Sequence, residues 1–261
     1  MTLAGTFRAL HRQGTFVLPN PWDIGSARLF QAAGFLAVAT TSAGLAAALG
    51  RRDQQVTREE VVTHVRKLTS VLDIPLSVDA EDGYGHGPAE VAGTVQSLAA
   101  AGAAGCSIED YDASTGQIRP LGKALDRVRA ALDAADGMVV TARCEHHLYG
   151  VDNLDATIER LAIFADAGAD CVYAPGLVDP AAMGRVVAEV GAPVNVLAMP
   201  AGPTVAELTT LGVRRVSVGS WLAMAAYGSA LEAAQTLAAG HGISADLPRP
   251  PRDVVATAWG S

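Results

Sequence analysis

Short apolar runs with the composition of β-strands alternate eight times with alanine-rich stretches at helical spacing along this chain. Eight strand–helix units in about 240 residues is the number that closes a TIM-type (β/α)8 barrel, so we predict an α/β fold of this class. Glycines 34, 102, 168 and 212 follow helical stretches, where a left-handed cap turns the chain into the next strand. The predicted strands are 15–18, 35–40, 76–79, 105–108, 138–143, 170–173, 194–197 and 215–218, and the predicted helices are about 23–33, 57–72, 88–101, 120–135, 153–167, 179–190, 204–211 and 220–239.

The competing architecture is an open, doubly wound sheet, which would place a glycine-rich phosphate turn after the first strand. Here the first predicted strand leads into Pro19-Asn-Pro-Trp-Asp23, which has two prolines and no Gly-x-Gly. The barrel is therefore favoured, as a single catalytic domain over residues 1–240 that ends in a C-terminal helix. Residues 241–261, which contain Pro248, Pro250 and Pro251, are predicted to form an extended C-terminal tail.

Composition and charge restrict the classes of partner. The chain has 261 residues, a formal net charge of −8 and a pI near 5.2, which argues against binding to a nucleic-acid backbone. No apolar run reaches the roughly 18 residues of a membrane helix and no signal-peptide core follows the first residues, so we expect a cytoplasmic protein with no membrane partner. The wide spacing of the cysteines suits buried small hydrophobic residues, and it matches neither a disulfide framework nor a zinc site: Cys106, Cys144 and Cys171.

Charged and polar residues follow the predicted strands at the end where a barrel places its active site. Thr41 and Ser42 follow the second strand, and Asp53 lies in the loop beyond. Carboxylates crowded together repel one another, so a divalent cation is the expected reason for their presence. For Asp82 and Asp110, a structural role as helix caps or loop residues stays open. The charged residues after the third, fourth and fifth strands are Asp79, Glu81, Asp82, Glu109, Asp110, Arg143 and Glu145.

Magnesium is the expected cofactor, because this hard cation takes oxygen ligands, keeps several waters and needs only one or two direct carboxylates. Manganese suits a site of carboxylates and water as well. Asp79 is the predicted direct ligand, with Glu81, Glu109 and Asp53 acting through water. Arg143 is predicted to neutralise the carboxylate of a small-molecule substrate, since its planar fork matches a carboxylate.

Taken together, these motifs resemble those of the isocitrate lyase and phosphoenolpyruvate mutase superfamily. The resemblance begins at Leu18-Pro-Asn-Pro-Trp-Asp-Ile-Gly-Ser-Ala-Arg28 and continues through Thr40-Thr-Ser-Ala-Gly-Leu-Ala-Ala-Ala-Leu-Gly50, with Asp53 close behind. Val78-Asp-Ala-Glu-Asp-Gly-Tyr-Gly85 is similar to the family's magnesium motif, and residues 102–110 and 142–145 follow in order. It covers about residues 15–220.

The resemblance implies a barrel in which magnesium holds a 2-oxo or 2-hydroxy acid by its carboxylate and the adjacent oxygen. It also implies an enolate-type intermediate, whose oxyanion is stabilised by the metal and by backbone amides of the loop after the second strand. The substrate-binding residues implied are Thr41, Ser42, Ala43, Arg143 and Glu145, and the catalytic residues implied are Arg143, Glu109 and Asp53.

Members of the family are homo-oligomers, often dimers of dimers that exchange a C-terminal helix, so a homodimer or homotetramer is expected here. Exchange is less expected than assembly, because only about twenty residues follow the predicted helix at 220–239, and prolines interrupt them.

The chain departs from the family in the loop after the fourth strand. Lyases of this group carry Lys-Lys/Arg-Cys-Gly-His there, whose Cys donates a proton, and the phosphonopyruvate enzymes carry a Lys and an Asn. Residues 111–119 have neither signature, so the chain resembles 2-methylisocitrate lyases and phosphonomutases as a branch that lacks the catalytic Cys motif. The local substitutes for proton transfer or anion binding are Tyr111, Asp112, Ser114 and Arg119.

Three residues after the fifth strand are considered as the acid or base at the mouth. Strand alternation directs Cys144 away from the side of Arg143 and Glu145, so it does not replace the missing Cys. His146 and His147 follow directly, and one of them is a candidate acid or base at the mouth, although a structural role is the more common one for such a pair.

Three functions stay open. The first is a magnesium-dependent carbon–carbon lyase acting on a small 2-hydroxy or 2-oxo dicarboxylate, including decarboxylation or hydrolysis of an oxaloacetate-type substrate. The second is a phosphonopyruvate-type mutase or hydrolase that acts on a P–C bond, against which the missing Lys and Asn count. The third is a non-catalytic barrel that serves as a binding module, against which the joint presence of the five site residues counts: Asp53, Asp79, Glu81, Glu109 and Arg143.

Overall fold

The computed structural model describes residues 2–260 and confirms the predicted α/β barrel. The strands β1 to β10 are Phe16–Leu18, Val38–Ala39, Leu76–Asp79, Gly105–Glu109, Tyr111–Asp112, Gln117–Ile118, Val139–Arg143, Cys171–Tyr173, Val194–Leu197 and Arg215–Ser217. The helices α1 to α11 are Leu3–Leu10, Ile24–Ala32, Ser42–Ala48, Arg58–Thr69, Pro88–Ala100, Leu121–Asp133, Leu154–Asp166, Pro180–Glu189, Val205–Thr210, Trp221–Ala238 and Arg252–Trp259.

Eight of the strands form one parallel sheet in the order β1-β10-β9-β8-β7-β4-β3-β2. The backbone N–H of Ala39 on β2 donates to the carbonyl oxygen of Pro19 at 3.1 Å, which joins β2 to the residue that follows β1. The sheet therefore curves into a nearly closed barrel with helices outside. Strands β5 and β6 pair as a separate antiparallel hairpin.

Alternate residues of each strand face opposite sides of the barrel wall. Outward side chains pack beneath the helices in two apolar clusters, one that includes Val78 and Ile108 and one that includes Val172 and Val216. The inward side chains are small or polar at positions where TIM barrels usually carry bulky branched residues, and space therefore remains inside the barrel. Those that line this space include Ala39, Ser77, Ser107, Asn195 and Ser217.

Helix α1 closes the opposite end of the barrel. Phe7 packs edge-on against Phe16 and His11, with ring centroids 6.2 Å and 4.8 Å apart. Gly105 on β4 allows this close approach, because a Cβ there would lie 2.8 Å from Cε1 of Phe7 and 2.7 Å from the carbonyl oxygen of Val139. The helix was not predicted from the sequence, although the Thr2 side chain caps it by accepting a hydrogen bond from the Gly5 N–H.

The structure corrects one prediction and bears out another at the helix ends. The tail is not extended throughout, because residues 252–259 form α11, which packs on α2 and buries Ala258. Pro251 lies at the N-cap of α11, where its fixed φ suits a helix start, so prolines there mark a boundary. The four cap glycines have φ between +86° and +107°, as the left-handed cap requires.

Between residues 2 and 260, none of the helices is both long and apolar enough to span a membrane.

Candidate active site

A cavity of about 190 Å³ opens at the carboxyl ends of the barrel strands. Helix α3 begins at Ser42, and Thr41 caps it because its hydroxyl accepts a hydrogen bond from the Gly44 N–H at 3.3 Å. The start of this helix therefore borders the same space as two carboxylates and an arginine. Six residues that were predicted from the sequence line the cavity together: Thr41, Ser42, Ala43, Asp53, Asp79 and Arg143.

Arg143 on β7 is the centre of the polar network. Its Nη1 donates to Asp79 Oδ1 at 2.8 Å, and its Nε donates to Glu145 Oε1 at 2.8 Å. Its Nη2 lies 3.1 Å from Glu109 Oε2, and its guanidinium lies 5.4 Å from the ring centroid of Tyr173. Burial alone would lower the pKa of Arg143, but the three carboxylates outweigh burial and raise the pKa well above its usual value.

Asp79 at the end of β3 is fixed by the backbone around it. Its Oδ2 accepts a hydrogen bond from the Ser42 N–H at 3.0 Å, and its own N–H donates to Thr40 Oγ1 at 2.9 Å. With Arg143 on Oδ1, both carboxylate oxygens are oriented by protein groups. The Ser42 N–H, which was predicted to stabilise an oxyanion, thus donates its hydrogen bond to Asp79 in this structure.

Glu109 and Glu145 contact Arg143 and do not themselves line the cavity. They are 5 % and 1 % exposed, so both carboxylates are shielded from bulk water. Burial raises the pKa of each carboxyl group above its usual value, and Arg143 opposes this rise. Gln54 donates from Nε2 to Glu109 Oε1 at 3.2 Å. These two acids hold the arginine in place.

Asp53 lies at the rim of the cavity, in the loop between α3 and α4, and remains open to solvent. Partial burial and the neighbouring Asp79 raise the pKa of Asp53, while Ser42 and Arg143 partly offset the rise. A carboxyl group at this position can exchange protons with solvent.

Glu81 does not line the same cavity as Asp79, although its backbone N–H donates to Asp79 Oδ1 at 3.4 Å. It lines a neighbouring cavity of about 480 Å³, together with Gln54 and Arg119. Glu81 is only 4 % exposed and has φ +47°, an uncommon conformation for a residue other than glycine. Within residues 2–260, its buried Oε1 finds no hydrogen-bond partner. Burial, followed by the charge of Asp79 and other nearby acids, raises the pKa of Glu81 to about 8.

The residues at the mouth fit a hard divalent cation. The candidate donors are carboxylate oxygens, and the buried Oε1 of Glu81 makes no hydrogen bond of good geometry, although the Tyr84 hydroxyl lies beside this carboxylate. A cation would also favour the ionised form of the acids whose pKa values are raised. The cluster of Asp79, Glu81 and Glu109 is nevertheless loose, since across residues 2–260 a different trio is the one whose donor atoms all lie within 4.8 Å of one another.

That trio consists of Asp110, Cys144 and His146, and its groups already have protein partners. Asp110 Oδ2 accepts from Arg160 Nη1 at 2.9 Å, and Oδ1 accepts from the Glu145 N–H at 2.8 Å. Nδ1 of His146 lies 3.0 Å from the Thr157 hydroxyl, so this ring contacts α7 and is not an acid or base at the mouth. Burial raises the pKa of Cys144, which faces the apolar cluster outside the barrel as predicted. The trio braces β4, β7 and α7.

His147 does not reach the mouth either, because its Nε2 lies 3.3 Å from the same Thr157 hydroxyl. Both histidines that were proposed as an acid or base therefore contact helix α7. The candidate from the sequence is wrong for this pair, and the loop after β7 turns their rings outward.

The loop that departs from the family forms the hairpin of β5 and β6. Arg119 Nη2 donates to Asp82 Oδ2 at 2.8 Å and lies 3.1 Å from Asp112 Oδ2, so its charge is used within the protein. Tyr111 stacks on Tyr149 from the loop after β7, with ring centroids 3.6 Å apart and planes 11° from parallel. Hairpin and loop are thus held together beside the mouth.

Asn20, Asn195 and Arg215 are among the cavity residues that were not predicted from the sequence. Asn20 joins two strands, because its Nδ2 donates to the Thr40 carbonyl oxygen and its Oδ1 accepts from the Val218 N–H, both at 2.9 Å. Asn195 and Arg215 line the cavity from inside the barrel. A polar residue within an apolar strand run, as in Val194-Asn-Val-Leu197 and Arg215-Val-Ser217, was the available signal.

A larger apolar groove of about 620 Å³ lies outside the barrel, between α2, α3 and α4. Trp22, Ile24 and Leu49 are among its lining residues, and Glu59 and Glu60 at its edge belong to the exposed start of α4. Its chemistry is that of a packing surface, so the smaller polar cavity at the strand ends is the candidate active site.

Comparison with known proteins gives a consistent result. The phosphoenolpyruvate phosphomutase family model matches residues 7–238. An uncharacterized protein of Mycobacterium tuberculosis (strain ATCC 25618 / H37Rv) is 35 % identical over 246 residues, which are 93 % of each chain. The 2-methylisocitrate lyase of Escherichia coli (strain K12) is 35 % identical over 192 residues, which are 69 % of this chain and 64 % of that protein.

A crystal structure from Burkholderia cenocepacia J2315, of a protein provisionally named a lyase/mutase, superposes with a TM-score of 0.90. The two sequences are 43 % identical, and the match covers 97 % of this chain and 94 % of that one. Similarity in sequence and in fold therefore extends over almost the whole chain.

Proposed function

The chain belongs to the phosphoenolpyruvate mutase and isocitrate lyase superfamily, and we propose that it is a magnesium-dependent carbon–carbon lyase that acts on a small 2-hydroxy or 2-oxo dicarboxylate. The observation that carries this proposal is Arg143, held by three carboxylates at the edge of a small cavity at the strand ends. Such a site suits an organic acid that is held at one end by an arginine and a cation.

The proposed metal site consists of Asp79 as direct ligand, with Asp53, Glu81 and Glu109 acting through water. Magnesium keeps several of its waters, so the loose spacing of these carboxylates agrees with this arrangement. When bound, the cation would supply a fixed positive charge beside the oxygen that becomes negative during bond cleavage, which is worth several kcal/mol of barrier. Manganese would serve the same donors.

The proposed roles of the protein groups follow from their contacts. Arg143 donates two N–H groups to carboxylates and forms an ion pair with Glu109 through Nη2, and its other N–H groups are proposed to bind the substrate carboxylate. Glu109 and Glu145 keep the guanidinium in position. Asp53 is proposed to hold or release a proton at its carboxyl oxygen, because it combines a raised pKa with access to solvent.

We also propose a cytoplasmic homo-oligomer. Helix α10 has a single buried residue, Ala223, although its sequence is apolar nearly all round, and such helices are normally covered. Tyr227 on α10 lies beside Trp22 at the rim of the outer groove, with ring centroids 6.5 Å apart. Both surfaces suit contact with a second copy, and light scattering that gives only a monomer would contradict this. The exposed large side chains of α10 include Trp221, Leu222, Met224, Tyr227, Leu231 and Leu237.

Phosphorus–carbon chemistry on phosphonopyruvate is the second candidate, since the matching family model is that of a phosphomutase. It is less supported, because the Lys and Asn expected in the loop are missing and Arg119 is paired with acids. A non-catalytic binding module is the third, and it leaves the shared orientation of Asp79 and Arg143 without a purpose.

A product screen tests the proposal. Purified protein with Mg²⁺ would be incubated with 2-methylisocitrate, oxaloacetate, malate-type acids and phosphonopyruvate, and products and free phosphate would be followed by NMR. We expect a 2-oxo acid or carboxylate fragment that disappears with EDTA and in Asp79→Asn. Asp155→Asn is the matched control, because the Asp155 side chain is 82 % exposed on α7. Release of phosphate alone would favour the phosphonopyruvate reaction, and no product from any acid would contradict both.

A further inference from the structure

Arg215 on β10 is a buried cation without a carboxylate partner. It is 3 % exposed, and its side-chain contacts are all with neutral groups. Nε donates to Asn195 Oδ1 at 2.9 Å, and Nη2 donates to Thr141 Oγ1 at 2.9 Å. Across residues 2–260, no carboxylate oxygen lies within 4 Å of its guanidinium. Buried charges are normally paired, so this exception calls for an explanation.

The third neighbour of Arg215 is His11 from α1, whose Nε2 lies 3.3 Å from Nη1. Nδ1 of His11 lies 2.9 Å from the Phe7 carbonyl oxygen, which accepts its hydrogen and leaves Nε2 as the acceptor. Burial, reinforced by the charge of Arg215, lowers the pKa of His11 to about 3, so the ring is neutral at physiological pH. His11 therefore supports the guanidinium without compensating its charge.

Arg215 also borders the space that a ligand would occupy. The cavity that contains Asp79 and Arg143 extends into the barrel, and Arg215 lines it from within. The small inward side chains of Ser77 and Ser107 leave this path open. Three of the five guanidinium N–H groups of Arg215 are used by its contacts, which leaves two donors for a further acceptor.

We infer that Arg215 binds the second carboxylate of the substrate, so that the cavity takes a short dicarboxylate between two arginines. One carboxylate meets Arg143 at the mouth, and the other reaches Arg215 inside the barrel. A cavity of about 190 Å³ accommodates an acid of this size. The inference rests on the proposed function, because it assigns Arg143 and the acid cluster to the first carboxylate.

The alternative is a structural role, in which Arg215 only holds Asn195, Thr141 and helix α1 together. If the role is structural, any substitution of Arg215 should loosen the barrel and weaken the binding of all ligands alike. Substrate recognition predicts a loss confined to ligands with a second carboxylate.

Lactate and malate separate these cases, because they share the 2-hydroxy acid and differ by the second carboxylate. Binding of both would be measured by calorimetry in the presence of Mg²⁺, with NMR to verify that each ligand stays intact. Wild-type protein is expected to bind malate at least about tenfold more tightly than lactate. Arg215→Gln should abolish this difference and leave lactate affinity within about twofold. Arg215→Lys, which keeps the charge, should retain part of the preference.

Thermal unfolding of each variant identifies a folding defect. If Arg215→Gln does not fold, the inference is tested by the ratio of malate to lactate affinity in the wild type and by the same ratio in Arg215→Lys. Equal binding of lactate and malate by the wild type, a preference that survives in Arg215→Gln, or an equal loss for both ligands would overturn the inference. Oxalate binding serves as the reference for the proposed function. If oxalate requires Mg²⁺ and Asp79 while malate is not preferred, only this inference fails; if oxalate requires neither, the proposed function fails.

Discussion

The buried carboxyl group of Glu81 should make the stability of the metal-free protein depend on pH. Burial and nearby acids raise its pKa from 4.5 to about 8 in the folded protein. Below pH 4.5 the carboxyl group is protonated in both the folded and the unfolded protein, and it does not lower the free energy of unfolding. As pH rises, the unfolded chain ionises first, and the free energy of unfolding falls by about 1.4 kcal/mol per pH unit until the folded pKa is reached.

The difference between the folded and unfolded pKa of Glu81 lowers the free energy of unfolding by about 5 kcal/mol above pH 8 and by about 3 kcal/mol at pH 7. These are upper values, since Asp79 and Asp53 share the cluster. Glu81→Gln removes the titrating proton while it keeps the shape of the side chain. We therefore expect the variant to be more stable than the wild type at pH 9, to keep a smaller advantage at pH 7, and to equal the wild type at pH 4.

Urea unfolding in EDTA at pH 4, 7 and 9 measures this difference. Glu159→Gln is the matched control, because Glu159 is exposed in the middle of α7. Adding Mg²⁺ at pH 9 should stabilise the wild type more than Glu81→Gln, since the ionised carboxylate is the form that a cation favours. A difference in stability between wild type and Glu81→Gln that is the same at all three pH values would show that Glu81 does not titrate with a raised pKa.

Two further predictions concern the barrel wall. Gly105→Ala should lower the free energy of unfolding by roughly 2–3 kcal/mol in urea, because the new Cβ would overlap the Phe7 ring and the Val139 carbonyl oxygen; an unchanged midpoint would show that α1 does not pack against β4. Cys144→Ala should leave Mg²⁺-dependent oxalate binding and any lyase activity unchanged, because the thiol faces the apolar cluster outside the barrel. Loss of activity in a folded Cys144→Ala protein would instead make this thiol a proton donor.

The barrel and much of its mouth could be predicted because two strong regularities govern them. Short apolar runs and cap glycines mark the strands and the helix ends, and the carboxyl ends of parallel strands meet at one face. Asp79 and Arg143 could therefore be assigned to one site from positions 64 residues apart, and they form an ion pair.

The remainder depends on geometry that no spacing encodes. Glu81 follows Asp79 by two residues, but its positive φ turns the carboxylate into a neighbouring cavity. The run Ser42–Ala48 forms a helix too short for a periodic signal. Pro251 starts α11, whereas prolines read along the sequence alone suggested an extended tail. In each case a backbone torsion or a tertiary contact decided the outcome.

An oxalate titration shows whether the mouth binds a cation together with the planar oxygens of a small acid. Calorimetry would compare wild type, Asp79→Asn and the control Asp155→Asn, each with Mg²⁺ and with EDTA. We expect binding that requires both Mg²⁺ and Asp79 and is unaffected by Asp155→Asn. Oxalate binding that is equal in EDTA, or equal in Asp79→Asn, would contradict this expectation.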